Sequence, residues 1–291
     1  AEPNPLEVII DSTNILCFGD TDGSITISSI AGETAPYSVG FDGGAPQAFT
    51  PGLTFSGLAA GVYNITVQDT NGCPSPAFSR DVTIETPNLL VIDTAIVTNP
   101  LCFGDDNGAI NVTTNGGGVP PYTFFVANNG DTTSNSSGLF DALAEGDYAV
   151  WVEDQNGCTD QHVVTLTAPP ELILAIDSVI DPACFGYDDG QIRVSASGGV
   201  PAMSATPYVF TLDDGTQAVA NTFAGLTEGI YAVSVTDANS CVTSLELIVN
   251  DPPPVFVSVS PEDTFIEMGD SLSLNVSTEN AEGSDFVYVW T

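Results

Sequence analysis

The chain contains no lysine, a single histidine (His162) and two arginines (Arg80 and Arg193), against 38 acidic side chains. The formal net charge is −36. Each scarcity excludes something. Neutralising phosphates takes Lys and Arg, so nucleic acid is ruled out as a partner. Docking on an anionic membrane surface fails for the same reason. Without lysine there is no Schiff base, no P-loop phosphate site and no Lys–Asn isopeptide cross-link. No apolar run is long enough to span a bilayer, so direct membrane insertion is not expected. What is present is equally informative. Only 14% of residues are charged and 43% are hydrophobic, enough to build packed cores, so this is not an acidic disordered tail.

Six cysteines fall as Cys17/Cys73, Cys102/Cys158 and Cys184/Cys241, separated by 56, 56 and 57 positions. Around them the sequence repeats. The first cysteine opens Cys17-Phe-Gly-Asp-Thr-Asp-Gly23, Cys102-Phe-Gly-Asp-Asp-Asn-Gly108 and Cys184-Phe-Gly-Tyr-Asp-Asp-Gly190. A Pro-Tyr pair follows at Pro36-Tyr37, Pro121-Tyr122 and Pro207-Tyr208. The second cysteine closes a Gly-x-Tyr strand and an Asp-x-Asn turn: Gly61 to Cys73, Gly146 to Cys158 and Gly229 to Cys241. Six cysteines allow fifteen pairings. The repeat selects the one in which each copy closes its own loop: Cys17–Cys73, Cys102–Cys158 and Cys184–Cys241. Each such loop should contribute about 4 kcal/mol on the chain-entropy model. Disulfides in turn imply an oxidising, extracellular compartment.

Apolar and polar residues alternate with period two along most runs, as in half-buried strands. Ile25/Ile27, Ile110/Val112 and Ile192/Val194 should point inward, as should Tyr63/Ile65/Val67 and their counterparts. Gly, Pro, Asn and Asp punctuate every 8–12 residues, and no segment has a helical period. The expected fold is all-β: tandem Ig-like antiparallel β-sandwich modules in a rod. Boundaries fall at 1–87, 88–169 and 170–251, with short proline joints between them. Residues 252–291 read as a truncated fourth β-domain of Ig or PKD type, with Trp290 in its core. No signal peptide is visible at Ala1, and the last residues sit inside what reads as a strand. The chain is therefore expected to be a segment of a longer one.

The two cysteine motifs with the central Pro-Tyr resemble the SprB repeat of very large cell-surface adhesins in gliding bacteria of Bacteroidetes type. The resemblance covers roughly residues 4–251. Copy three departs from it at Tyr187, at Ser240 and in the extra Ala202–Thr206. The resemblance implies surface display through type IX secretion, adhesive filaments acting in gliding, and no catalysis.

Several residue sets are candidates for sites. Asp20, Asp22, Asp105, Asp106, Asp188 and Asp189 follow the first cysteines. Asp69, Asp154 and Asp237 precede the second ones. A disulfide within each copy would bring the two groups together, and clustered oxygens suit Ca²⁺. The competing reading is turn chemistry, because Asp-Gly and Asn-Gly make tight turns unaided. Trp151 should face outward, where an indole stacks on a sugar or packs against its surroundings. Asn64, Asn111, Asn135 and Asn275 begin N-linked sequons. The O-glycosylation signal of the resembled bacteria places sugar on Ser12, Thr94, Thr132, Ser178 and Ser271. Ser-His-Asp work would hang on His162, which the other copies lack.

The expectation is therefore a non-enzymatic stalk that spaces an adhesin tip from the cell, with no required cofactor. Its partners are neighbouring repeats, surface glycans or other filament proteins. The alternative is a set of ligand-binding modules, for glycans or for calcium-dependent self-association.

Overall fold

The computed structural model describes residues 4–73, 77–204, 206–218, 220–260 and 273–279. All 22 elements among the described residues are β-strands. Copy one has β1 (Glu7–Thr13), β2 (Gly23–Ala31), β3 (Tyr37–Phe41), β4 (Gln47–Ala48), β5 (Leu53–Leu58), β6 (Gly61–Asp69) and β7 (Phe78–Ile84). They form two antiparallel sheets, ordered β1-β2-β5 and β4-β3-β6-β7. Copy two has β8 (Ile92–Thr98), β9 (Gly108–Thr114), β10 (Thr123–Asn128), β11 (Asp131–Asn135), β12 (Leu139–Leu143), β13 (Gly146–Glu153) and β14 (Thr159–Leu166). Its sheets, β8-β9-β12 and β11-β10-β13-β14, repeat the same order.

Copy three has β15 (Ile173–Ile180), β16 (Gly190–Ser197), β17 (Val209–Leu212), β18 (Thr222–Leu226), β19 (Gly229–Thr236) and β20 (Val242–Val249). Its sheets are β15-β16-β18 and β17-β19-β20. Where the other copies have β4 or β11, it has an isolated bridge, Thr211 to Gln217. A final antiparallel pair joins β21 (Phe256–Ser260) to β22 (Asn275–Glu279). Trp290 and the other strands expected beyond Pro254 lie outside the described residues.

Alternation explains the sandwich. Ile25 and Ile27 on β2 are fully buried, as are Ile65 and Val67 on β6, and the same holds for Ile110, Val150, Val152, Ile192, Val194, Val233 and Val235. The side chains between them on these strands are less buried. Each copy encloses its own hydrophobic cluster. Two tyrosines per copy pin the loops. The Gly-x-Tyr hydroxyls of Tyr63, Tyr148 and Tyr231 donate to the carbonyls of Ala59, Ala144 and Thr227. This is the tyrosine corner of immunoglobulin-type sandwiches. The Pro-Tyr hydroxyls of Tyr37, Tyr122 and Tyr208 donate to Gly32, Gly117 and Gly198.

The last glycine of each Cys-Phe-Gly motif is a packing requirement. A Cβ on Gly108 would sit 2.6 Å from both the Leu143 carbonyl oxygen and a Leu166 methyl. Gly23 and Gly190 face the same squeeze.

The chain divides into two compact units. One is Ala1–Pro100 with Asp106–Thr167; the other is Leu101–Asp105 with Ala168–Thr291.

Candidate functional site

Two recurring turns carry the cysteines. The first precedes β2, β9 and β16. There the N–H of Asp20, Asp105 and Tyr187 donates to the carbonyl of Cys17, Cys102 and Cys184. Gly19, Gly104 and Gly186 hold the left-handed position inside that turn, with φ between 77° and 86°. Asp22 Oδ1 accepts the Leu16 N–H, and Asp189 Oδ1 accepts the Ala183 N–H, so these acids close their own loop.

The second turn follows β6, β13 and β19, and its anchor is a buried aspartate. Asp154 Oδ1 accepts the N–H of Asn156 and of Cys158, both at 2.9 Å, and Oδ2 accepts the Val119 N–H at 2.7 Å. Asp237 does the same with Asn239, Cys241 and Val200. Asp69 does so with Asn71, Cys73 and Thr34. These aspartates are 5–7% exposed. A carboxylate fed by several backbone donors is stabilised as the anion. The Asp69 carboxyl is accordingly held below its ordinary value, chiefly by the Cys73 N–H; burial opposes this, and the Asn71 and Thr34 N–H groups reinforce it. The turn thus ties the end of β6, β13 or β19 to the loop that carries the Pro-Tyr.

The expected pairing of cysteines is corrected here. Cys17 bonds Cys158, with Cα atoms 5.5 Å apart, inside the first unit. Cys102 bonds Cys241, at 5.7 Å, inside the second. Cys17–Cys73, Cys102–Cys158 and Cys184–Cys241 do not form; Cys73 and Cys184 are unbonded. The reason is geometric. Cys17 lies in the turn that leads into β2, whereas Cys73 follows Asp69, which pairs with Tyr37 just beyond the far end of β2. Nine residues of strand at about 3.3 Å each separate the two turns by roughly 30 Å. A disulfide needs Cα atoms within about 7 Å.

In the first unit the chain leaves copy one beside Cys17, where Ile15 N–H meets the Glu85 carbonyl. It enters copy two beside the Asp154 turn, where Gly118 N–H meets the Asn88 carbonyl. The bottom of one module therefore meets the top of the next. Asn156 Nδ2 donates across to the Leu16 carbonyl at 3.0 Å. Asn239 Nδ2 donates to the Leu101 carbonyl at 2.8 Å in the second unit. Phe18, Asp20, Leu89, Leu90 and Cys158 line a shallow cleft at the first of these joints.

The remaining candidates are placed as follows. Asp20, Asp106 and Asp188 are exposed and Asp105 is half-buried. The disulfides bring the Asp20 loop to the turn of Asp154, and the Asp105 loop to that of Asp237, rather than to those of their own copies. Glu33, Asp69 and Cys73 have ligand atoms within 4.8 Å of one another, a mixed acid–thiol group. Glu33 was not singled out by the sequence because no other copy has an acid there. Trp151 is half-buried and stacks on Phe125, its cross-strand neighbour, with centroids 4.8 Å apart. Thr66 opposite Gly40 and Ser234 opposite Thr211 take that place in the other copies. Ser12, Thr94, Ser178 and Thr132 are exposed on the edge strands β1, β8, β15 and β11; Ser271 lies outside the described residues. His162 is half-exposed beside Asp160 at 3.7 Å.

The SprB repeat family model matches residues 9–38, 94–131 and 177–217, so the chain carries three SprB-repeat segments. These mark an adhesin-type repeat region of the cell-surface kind. No curated protein matches the chain. Among solved structures it is similar to the three N-terminal domains of the bacteriophage RB49 outer capsid protein Hoc. That match has 15% identity and a TM-score of 0.35, over 84% of this chain and 97% of that one. It is also similar to Sidekick-1 immunoglobulin domains 1–5, at 10% identity and a TM-score of 0.31, over 86% of this chain and 60% of that one. The N-terminal eight Ig domains of the Down syndrome cell adhesion molecule match at 10% identity and 0.35, over 84% of this chain and 43% of that one.

Proposed function

We propose that this segment is a non-catalytic spacer in the stalk of a bacterial cell-surface adhesin, displayed by type IX secretion and acting in gliding. The observation that carries the reading is the joint between copies one and two. It is crossed twice by covalent chain, once through Glu85–Leu90 and once through Cys17–Cys158. A single linker leaves a swivel; a second tether removes most of that freedom. A spacer gains reach from such stiffness, whereas a catalyst gains nothing. The net charge of −36 fits an exposed repeat, and only Arg80 and Arg193 are open to trypsin-like cleavage.

The test is the spread of distances between spin labels on the exposed Val62 and Val163, one in each copy. The oxidised protein should give a narrow distribution that broadens at least two-fold in Cys17→Ser/Cys158→Ser. Equal widths would overturn the spacer reading. The ligand-binding alternative predicts glycan retention lost in Trp151→Ala, or a melting point that rises with calcium.

A further inference from the structure

Copy two differs from its neighbours in how it fills the space between its sheets. Val126 pairs with Val150 across β10 and β13; the same place holds Phe41 in copy one and Leu212 in copy three. Phe41 closes copy one, because its ring stacks on Phe55 at 4.2 Å and on Tyr63 at 5.4 Å. Valine does not reach that far. Copy two has instead a cleft of about 420 Å³ between the tips of the β10–β11 and β12–β13 hairpins. That size falls within the ~300–1,000 Å³ of small-molecule sites. Val126, Leu143 and Tyr148 supply apolar lining, and Asn128, Asp131 and Glu145 supply polar groups.

Two further details are particular to this cleft. Ala142, which lines it, has φ 55°, in a left-handed position held by Gly57 and Gly225 in the other copies. A side chain is disfavoured there, and backbone strain of this kind gathers at binding sites. The polar groups are also held in place. Asn129 (φ 51°) and Gly130 (φ 95°) form a two-residue hairpin turn that sets Asn128 directly opposite Asp131. The Asn128 amide packs against Gly146, where a Cβ would come within 2.7 Å of the amide nitrogen.

We propose that this cleft binds a neutral sugar, one hexopyranose ring of a larger glycan. The lining selects that class. Sugar hydroxyls both donate and accept; Asn128 and Asn129 offer amide donors, and Asp131 and Glu145 offer carboxylate acceptors. The C–H face of the ring lies on the apolar lining. An acidic sugar is repelled, because no lysine, arginine or histidine is among the lining residues to offset the two carboxylates. A bare cation leaves the amide donors and the apolar lining unused. Trp151 is on the outward face of the sheet, so this site is distinct from an indole platform. The inference stands on copy two alone and does not depend on the spacer reading.

The test places the full chain on an array of malto- and cello-oligosaccharides, oligogalacturonates and chitosan oligosaccharides. Affinity for the best-retained glycan is then measured by calorimetry. The neutral glycans should be retained and the charged ones not. Val126→Phe, which gives copy two the filling of copy one, should weaken binding at least ten-fold, with the melting temperature as the check on its fold. Asp131→Ala, at an exposed position, should weaken it about five-fold. Trp151→Ala should leave the affinity unchanged. Retention of no neutral glycan would overturn the proposal, as would binding that survives both Val126→Phe and Asp131→Ala. Binding lost in Trp151→Ala and kept in Val126→Phe would put the sugar on the outward face and overturn it equally.

Discussion

The turn at Asp154–Cys158 and the turn at Asp69–Cys73 have nearly the same sequence but different outer contacts. Both bury an aspartate that accepts three backbone N–H groups. Only the first is bonded to another copy, through Cys158 and through Asn156. The difference separates two functions of one motif. The aspartate folds the turn from within its own module, whether or not a neighbour is docked. The asparagine and the cysteine are directed outward and do their work only when the bottom of another module arrives.

That separation predicts a graded set of effects. The largest belongs to the disulfide. Cys17→Ser/Cys158→Ser should cost about 5 kcal/mol on the chain-entropy model, for a separation of 141 residues. Cys73→Ser should leave thermal stability of the isolated chain unchanged. A comparable loss from Cys73→Ser would mean that the open turn is not open. Next comes the aspartate. Asp154→Ala should cost about 3 kcal/mol, because it leaves buried N–H donors without an acceptor, and Asp69→Ala should destabilise copy one in the same direction. If only Asp154→Ala destabilises, the turn is built by docking and not by its own module. Smaller again is the asparagine. Asn156→Ala should cost about 1 kcal/mol by denaturant titration, and Asn71→Ala only a few tenths.

The smallest effect is an acid limb in copy one. The Asp69 carboxyl lies below its ordinary value of 3.8 in the folded chain. Its contribution is therefore complete above that pH and is lost as pH falls from 3.8 through the lowered value. Asp69→Asn should flatten this part of the stability–pH curve, and a curve of unchanged shape would remove Asp69 as its source.

Much of this was legible in the sequence. The alternation at Ile25/Ile27 and Ile65/Val67 fixed both strand and face, and the spacing of the cysteines marked three equivalent copies. The cysteine partners were not legible from spacing, because a repeat makes every first cysteine equivalent to every other. Pairing within a copy and pairing between copies fit the same period. The discriminating fact is that Cys17 precedes β2 and Cys73 follows β6, which puts them at opposite ends of the sandwich. That is a property of strand order, and it becomes visible only once the sandwich is assembled. The acids stand beside the cysteines in the sequence, but the expected meeting of the two groups within one copy fell with the cysteine pairing, and charge alone does not reveal a donor. The N–H groups that occupy Asp69, Asp154 and Asp237 come from loops 35 to 37 positions away as well as from the turn itself. Trp151 faces the outside of its sheet as its register required; its stacking on Phe125 depends on which strand lies beside it.

The pairing between copies can be tested by trypsin alone, because the chain has only Arg80 and Arg193 to cut. Digestion of the denatured, unreduced monomer should yield fragments 1–80, 81–193 and 194–291. The bonds Cys17–Cys158 and Cys102–Cys241 tie all three fragments together, so they should run as one species that falls into three on reduction. Release of fragment 1–80 before any reductant is added, carrying a Cys17–Cys73 bond of its own, would contradict the account.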